Sequence, residues 1–214
     1  MRLFTSKAAA AVLLSLGLIG CARQGDIVQS GILANYTACP AVAIPAPAGD
    51  VTLFDPAGST DASAIDVVAT ISNLRGTCSE TGEYIVSNAT FEVRGQRRDN
   101  RGVREVTLPY FAAVVQGNGN VVAKRSSRVS LRFEDGQYSA GTTASATSQV
   151  LRSAATLPQD IRRQITRERR AGDPQAAVDP MADPAVRAAV ERAKFEMFVG
   201  FELDAAQLRY NATR

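Results

Sequence analysis

A cysteine near the start of the chain has the neighbours that covalent lipid attachment requires. The tetrapeptide Leu18-Ile19-Gly20-Cys21 ends an apolar run and places a small residue directly before the thiol. In bacterial lipoproteins such a thiol is acylated, and the chain is cut immediately before it. The pattern therefore predicts Cys21 as a lipidation site. The alternative is an ordinary secretory signal that is cut near Gly20 and leaves Cys21 without a role.

The residues before this cysteine have the parts of an export signal. Arg2 and Lys7 form a basic start, and residues 8–20 are uncharged and mostly apolar. As a helix, residues 8–20 would span about 20 Å, which is short of the roughly 30 Å hydrocarbon core of a bilayer. We therefore expect residues 1–20 to be a lipoprotein signal peptide.

Cleavage at this point predicts an anchored protein of the cell envelope. Residues 21–38 would form a tether between acyl chains, such as palmitate, on Cys21 and a domain over residues 39–214. Two or three acyl chains hold a protein firmly, because each buried methylene contributes about 0.8 kcal/mol. Ala22 follows the cysteine, and not the Asp that retains many such proteins at the inner membrane. This favours the outer membrane, on its periplasmic side.

Two further cysteines are interpreted as a structural disulfide. Once Cys21 is acylated, Cys39 and Cys78 remain as a pair, and the periplasm is oxidising. Closing a loop of about 40 residues stabilises a fold by roughly 4 kcal/mol in the chain-entropy treatment. The alternatives are a metal pair or a redox pair. Neither has support, because the chain has no histidine and the spacing is not Cys-x-x-Cys.

The residue types limit the catalytic chemistry that the chain could perform. The absence of histidine excludes a Ser-His-Asp triad and histidine-based metal sites. Acidic residues at turns are usually solvated, and strand spacing alone gives a lysine and a serine no base–nucleophile geometry. We predict no enzymatic activity, no cofactor and no metal. The remaining candidates are Glu80 with Glu83, Glu134 with Asp135, and Lys124 with Ser126 and Ser127.

A cluster of arginines is the strongest candidate for a binding surface. Five arginines and one glutamate lie between residues 161 and 170, for a local charge of +4. One interpretation is a solvated helix face that covers the domain. The other is a docking arm for an anionic partner: lipid headgroups, a cell-wall polymer or an acidic protein face. The arginines are Arg162, Arg163, Arg167, Arg169 and Arg170.

The overall charge gives no support to nucleic-acid binding. The chain has 24 basic and 21 acidic residues, and two of the basic residues, Arg2 and Lys7, leave with the signal. The mature net charge is then near zero, and no motif combines aromatic and basic residues. We expect no nucleic-acid partner.

Regular turn signals divide the middle of the chain into short strands. Between the turns, apolar residues alternate with polar ones, as in Val129-Ser130-Leu131-Arg132-Phe133, and residues 106–115 are nearly all apolar. A hairpin explains the glycines of residues 117–120 better than a phosphate loop, because no helix follows them. This spacing favours a mainly β fold, an immunoglobulin-like antiparallel β-sandwich. The turns are predicted at residues 81–82, 99–102, 117–120 and 135–136.

Two helices are predicted before the last core strand. Ile161 and Ile165 lie one helical turn apart, and Asp183-Pro184 gives a second helix an N-cap and a first-turn proline. Apolar residues then alternate strictly over residues 195–203, which indicates a strand. Residues 158–193 are therefore expected to form a helical insertion in the sandwich.

A set of short motifs recurs in a known pattern. The motifs are Cys39-Pro40-Ala41-Val42, Gly76-x-Cys78, Leu108-Pro109-Tyr110-Phe111, residues 119–124, Phe198-Val199-Gly200-Phe201 and Gln207-Leu208-x-Tyr210-Asn211. Together they resemble a group of alphaproteobacterial lipoproteins of unassigned function, over most of residues 39–214. The resemblance implies an envelope location, the disulfide and one compact domain, but no catalytic or ligand residues. This chain departs from it in the longer helical stretch near residues 158–193.

Two functions from different classes remain open. The first is an acyl-anchored periplasmic lipoprotein that acts as an interaction or envelope-assembly module, with residues 158–193 as its contact region. The alternative is a module that binds a small molecule or a glycan through loops of the sandwich.

Overall fold

A computed structural model describes residues 38–167, 172, 174 and 178–213. The elements lie in the larger of two compact units, Asn35–Ile165 with Asp179–Arg214, except for the last residue of one helix. Eight strands and three α-helices are formed by the described residues. The strands are β1 (Ala41–Ala43), β2 (Asp50–Phe54), β3 (Ile65–Thr81), β4 (Tyr84–Arg97), β5 (Arg104–Gln116), β6 (Val121–Phe133), β7 (Ser139–Leu151) and β8 (Phe195–Phe201). The helices are α1 (Gln159–Thr166), α2 (Pro184–Ala193) and α3 (Ala205–Thr213).

The strands form two four-stranded sheets that pack face to face. One sheet has the order β1-β8-β5-β6 and the other β2-β3-β4-β7. The pairing of β1 with β8 is parallel, and every other pairing is antiparallel. The chain changes sheets after β1, β4, β6 and β7. The prediction of a mainly β sandwich is confirmed, and so is the helical insertion, since α1 and α2 lie between β7 and β8.

The alternation seen in the sequence places one set of side chains between the sheets. Along β4, for example, Phe91 and Val93 are fully buried while Thr90 is exposed. Burying an aliphatic or aromatic side chain contributes about 1.5–3 kcal/mol relative to leaving it exposed, so this core accounts for the packing of the two sheets. Its largest fully buried members are Phe91, Phe133, Phe201, Leu108, Leu131 and Met197.

The predicted turns all connect strands. Gly82, Gly102, Gly119 and Gly136 have φ between +59° and +86°, a conformation that glycine adopts at little cost. Gly119 closes the β5–β6 hairpin, where a helix would be needed for a phosphate loop. β7 is rich in Ser, Thr and Ala and contains few large apolar residues.

The two helices of the insertion differ in how they contact the sandwich. In α2, Asp183 accepts a 2.8 Å hydrogen bond from the Ala185 backbone N–H, as its predicted N-cap role requires. Val186, Ala189 and Ala193 of α2 are buried, and the helix packs against β5. In contrast, α1 has no buried residue. Thus α2 belongs to the core, and α1 is peripheral.

The C-terminal helix α3 was not predicted as a helix. Asp204 and Gln207 form a reciprocal capping box, because Asp204 accepts from the Gln207 N–H at 2.8 Å and Gln207 Oε1 accepts from the Asp204 N–H at 3.0 Å. Tyr210 of α3 meets the ring of Phe54 edge to face at 5.1 Å. The C-terminal helix therefore packs on β2.

Candidate functional site

The disulfide predicted from the cysteine pair is present. Cys39 and Cys78 are bonded, with their Cα atoms 5.9 Å apart. Cys39 lies two residues before β1, and Cys78 lies on β3, next to a buried cluster that includes Ile85 and Phe195. The bond therefore fixes the point at which the chain enters the sandwich.

Several of the predicted envelope features lie outside the described residues. These are Cys21, the signal over residues 1–20, the tether up to Thr37, and two of the five arginines, Arg169 and Arg170. Lipidation at Cys21 stays a prediction. Among the described helices, none is long and apolar enough to cross a bilayer.

The other three arginines of the predicted docking arm are brought onto α1 and its C-terminal end. Arg162 and Arg163 are exposed on the helix, and Arg167 follows it. Arg162 Nη2 donates to the Leu157 carbonyl at 3.3 Å, and Arg163 Nε donates to the Gln159 carbonyl at 3.4 Å. Only Ile161 and Ile165 of α1 are half-buried. The helix thus presents cations to solvent on a segment that contributes little to the core.

The Ser-Lys candidate is held by a carboxylate. Lys124 Nζ lies 3.0 Å from Glu202 Oε1 and 5.2 Å from the centre of the Phe111 ring. Hydrogen bonds from Lys124 and then from Ser126 lower the pKa of the Glu202 carboxyl below its ordinary value. Lys124 and Ser126 therefore converge on the Glu202 carboxylate, on the outer face of the sheet.

The acidic candidates are engaged at the ends of strands. Glu80 lies 3.5 Å from Arg152, and Glu134 lies 2.7 Å from Arg132. Asp135 accepts a 2.6 Å hydrogen bond from the Gly102 N–H. Within the part of the chain that the structure describes, no group of three His, Cys, Asp or Glu side chains could hold a metal. Asp135 therefore links the β6–β7 turn to the β4–β5 turn, and Glu80 links the ends of β3 and β7.

A buried cation at the end of β4 was not anticipated. Arg97 is 4% exposed, and its guanidinium donates to four backbone carbonyls, those of Gln137, Gly102, Asn100 and Glu134, at 2.7–2.9 Å. It also lies 5.3 Å from the centre of the Phe133 ring. Arg97 therefore joins the β4–β5 and β6–β7 connections at one end of the sandwich.

The opposite end of the sandwich opens between β6 and β7, each the edge strand of its sheet. Residues 121–128 of β6 are all exposed, and a cleft of about 180 Å³ separates them from β7. Tyr110 spans the two sheets beside it, donating its hydroxyl to the Ser145 carbonyl at 2.8 Å. Sequence alternation alone did not show this opening. The alternation of β6 points Ala123 and Arg125 toward the other sheet and so predicts that they are buried, whereas both are exposed. The cleft is lined by Tyr84, Ala112, Val114, Ala123, Arg125 and residues 147–149.

A second, larger groove lies beside the β3–β4 turn. Its volume is about 690 Å³, and its described lining is Gly82, Glu83, residues 151–153 and residues 156–158. Leu151 is 48% exposed there, while Arg152 and Glu83 add charge. This groove is therefore a candidate site for the alternative function, in which loops of the sandwich bind a small molecule or a glycan.

Comparisons with known proteins assign no family to the chain. No protein-family model matches the chain, and no curated protein matches it. Among solved structures, it is similar to a DUF1425 family member from Shewanella sp. pv-4, with 17% sequence identity and a TM-score of 0.26. The match covers 50% of this chain and 81% of the other. That family name states no activity.

Proposed function

We propose that this chain is an acyl-anchored periplasmic lipoprotein whose β-sandwich acts as an interaction module in the cell envelope. The disulfide between Cys39 and Cys78 is the observation that carries the proposal, because such bonds persist mainly in exported proteins. It agrees with the export signal and with Cys21 as the acylated residue. The resemblance to alphaproteobacterial lipoproteins points to the same compartment, and Ala22 favours the outer membrane.

The anchor is tested by membrane fractionation. The native chain should fractionate with membranes, and Cys21→Ser should move it to the soluble periplasmic fraction. Ala22→Ser is the matched control, since it places a serine one residue later, keeps the Cys21 thiol and should leave the protein with membranes. If Cys21→Ser still fractionates with membranes, lipid on this residue is not the anchor.

We place the partner contact on α1, through Arg162, Arg163 and Arg167. Arg162 and Arg163 are exposed on a helix with no buried residue, and Arg167, also exposed, follows it. Exposed cations of this kind attract an anionic partner. A deletion of residues 158–193 would not test this, because it would remove the buried face of α2. Charge-neutral substitutions are the suitable perturbation.

The test is crosslinking in intact cells followed by mass spectrometry. A triple variant with glutamine at the three arginines should lose a specific envelope protein that the native chain captures. The control carries glutamine at Arg75, Arg98 and Arg209, three exposed cations elsewhere on the domain, and should keep it. Identical capture by all three proteins would remove α1 as the contact surface.

Ligand binding at the 690 Å³ groove is the second candidate function. Its volume falls within the 300–1,000 Å³ range of small-molecule sites, and it combines an apolar side chain with charged ones. A panel of envelope sugars and small metabolites would be screened by melting temperature. A rise that Leu151→Asp abolishes would favour this function, and no rise with any compound would remove it.

A further inference from the structure

We propose that β6 binds an extended, acidic segment of a partner protein, which adds to the sheet as an extra strand beside residues 121–128. This surface is distinct from α1, and the proposal does not depend on acylation of Cys21. Three features of the described residues lead to it: the position of the strand, its charge and the cleft behind it.

The first feature is an open strand edge of sufficient length. Among the described residues, β6 is the last strand of its sheet, so its outer side presents unpaired backbone N–H and C=O groups. Residues 121–128 are exposed, whereas Val129, Leu131 and Phe133 further along are buried. Eight extended residues span about 27 Å. This is longer than an average strand and is enough for a stable pairing.

The second feature is an excess of positive charge. β6 contains Lys124, Arg125, Arg128 and Arg132 and no acidic residue. Lys124 and Arg132 have carboxylate partners, Glu202 and Glu134. In the described part of the chain, Arg125 and Arg128 have none, and the residues opposite them on β5 are Ala112 and Pro109. Aspartate or glutamate on an added strand would supply the missing opposite charge.

The third feature is the cleft between β6 and β7. Ala112, Val114 and Ala123 give it an apolar lining, and Arg125 also lines it. At about 180 Å³ it is smaller than the usual site for a separate small molecule. A strand added to β6 points alternate side chains to opposite faces. One set would therefore reach this cleft, and the other would lie beside Lys124 and Arg128 on the outer face.

Basic residues on an edge strand also have a protective role, since they oppose pairing between two copies of the chain. The two roles are compatible. A second β6 would bring Arg125 and Arg128 against like charges, whereas an acidic strand would meet opposite ones. Protection alone does not account for Val121 and Val122, which are 62% and 51% exposed and extend the apolar contact along the same edge. The positive charges of Arg125 and Arg128 thus favour binding of an acidic strand over a second copy of β6.

The experiment selects nine-residue peptides from a random display library against the full chain carrying Cys21→Ser. The expected result is enrichment of peptides with Asp or Glu on both faces of the strand, because Arg125 and Arg128 point to opposite faces. Their affinity should fall at least tenfold for the double variant Arg125→Glu and Arg128→Glu, and also at higher ionic strength. The control, Arg98→Glu with Arg209→Glu, reverses two exposed cations elsewhere and should bind as the parent does. Near-ultraviolet circular dichroism confirms that each variant is folded.

Changes to the peptide backbone distinguish strand addition from simple charge attraction. A selected peptide would be N-methylated at odd or at even positions, and one of the two forms should bind at least tenfold more weakly. Amide hydrogen exchange in residues 121–128 should slow when the unmodified peptide binds.

Each of the other outcomes overturns the proposal. These are no enrichment, enrichment without acidic residues, equal binding to the charge-reversed variant, and equal binding of both methylated forms. A further assay measures sedimentation with vesicles of 70% phosphatidylcholine and 30% phosphatidylglycerol. If no peptide is selected and the protein sediments with the vesicles only when Arg125 and Arg128 are present, the surface binds lipid instead. Since the parent chain lacks Cys21, none of these results bears on the anchor.

Discussion

Replacing Arg97 should destabilise the sandwich more than any exposed arginine does. Its guanidinium makes four hydrogen bonds to backbone carbonyls and one ring contact while it is 4% exposed. Hydrogen bonds to charged groups contribute about 1.5–3 kcal/mol each, but only about 1 kcal/mol where water can replace the donor. The acceptor residues lie in turns that are largely open to solvent, so we use the lower value.

Four such bonds and the contact with Phe133 sum to about 5 kcal/mol of lost interaction. Removing the charge offsets part of this, because a buried cation carries a desolvation cost of several kcal/mol. We therefore expect Arg97→Met to lower the free energy of unfolding by about 3 kcal/mol. Arg97→Lys keeps the charge but has three donors on a single atom, so about 2 kcal/mol is expected. For a domain of this size, 3 kcal/mol corresponds to roughly 6–12 °C in melting temperature.

The assay is urea unfolding followed by far-ultraviolet circular dichroism. Arg94→Met is the matched control, since Arg94 lies three residues earlier on β4, pairs with Glu92 and has a side chain 73% exposed. An exposed ion pair of this kind contributes less than about 1 kcal/mol. If Arg97→Met and Arg94→Met unfold at the same urea concentration with equal slopes, the four-carbonyl contact has no energetic weight and the reasoning fails.

Three further predictions concern other contacts of the fold. Cys39 and Cys78 should not react with a thiol probe without reductant, and the double alanine variant should lose about 4 kcal/mol in urea unfolding; labelling of Cys39 or Cys78 in the native chain would contradict the bond. Gly117→Ala should cost about 1–3 kcal/mol in the same assay, because its Cβ would lie 2.6 Å from the Glu191 carbonyl oxygen of α2. Gly141→Ala, with 3.8 Å to its nearest neighbour, should cost nothing. The pKa of Glu202 is lowered in the fold, so its contribution to stability is present above the ordinary carboxyl pKa and is lost as pH falls through the lowered one. The melting temperatures of native protein and Glu202→Gln should therefore converge at acid pH, and a constant difference from pH 7 to pH 3 would contradict the assignment.

The sequence predicted the strands and turns better than the contacts between distant parts of the chain. Alternation identified β6 and β8, an apolar run identified β5, and glycine turns located the hairpins, because these signals are local in the chain. The disulfide followed from the parity of the cysteines. The role of Arg97 could not be predicted in this way. An arginine at an inward position can join two turns only when the fold brings their backbone carbonyls around it. The same holds for the cleft, because the separation of β6 from β7 depends on how two sheets pack.

The missed helix had a local signal. Asp204 and Gln207 have the spacing of a capping box, but the alternating residues just before them continue a strand pattern up to Leu203. The arginines of residues 161–170 illustrate the opposite limit. Their charge was evident from the sequence, whereas their environment was not. Only the structure distinguishes α1, with no buried residue, from α2, which carries part of the core.

The fold fastens its N-terminal segment at several points. The disulfide joins Cys39 to β3. The amide of Asn211 on α3 donates to the carbonyls of Pro47 and Asp50, both at 2.9 Å. β1 itself has only three residues, and its parallel pairing with β8 could not resist displacement alone. If a tether from Cys21 holds the domain, a pull along it meets the covalent bond to the long strand β3 before it reaches β1. With such a tether, the disulfide would keep the sandwich intact beside the anchor, a role that a freely diffusing domain would not need.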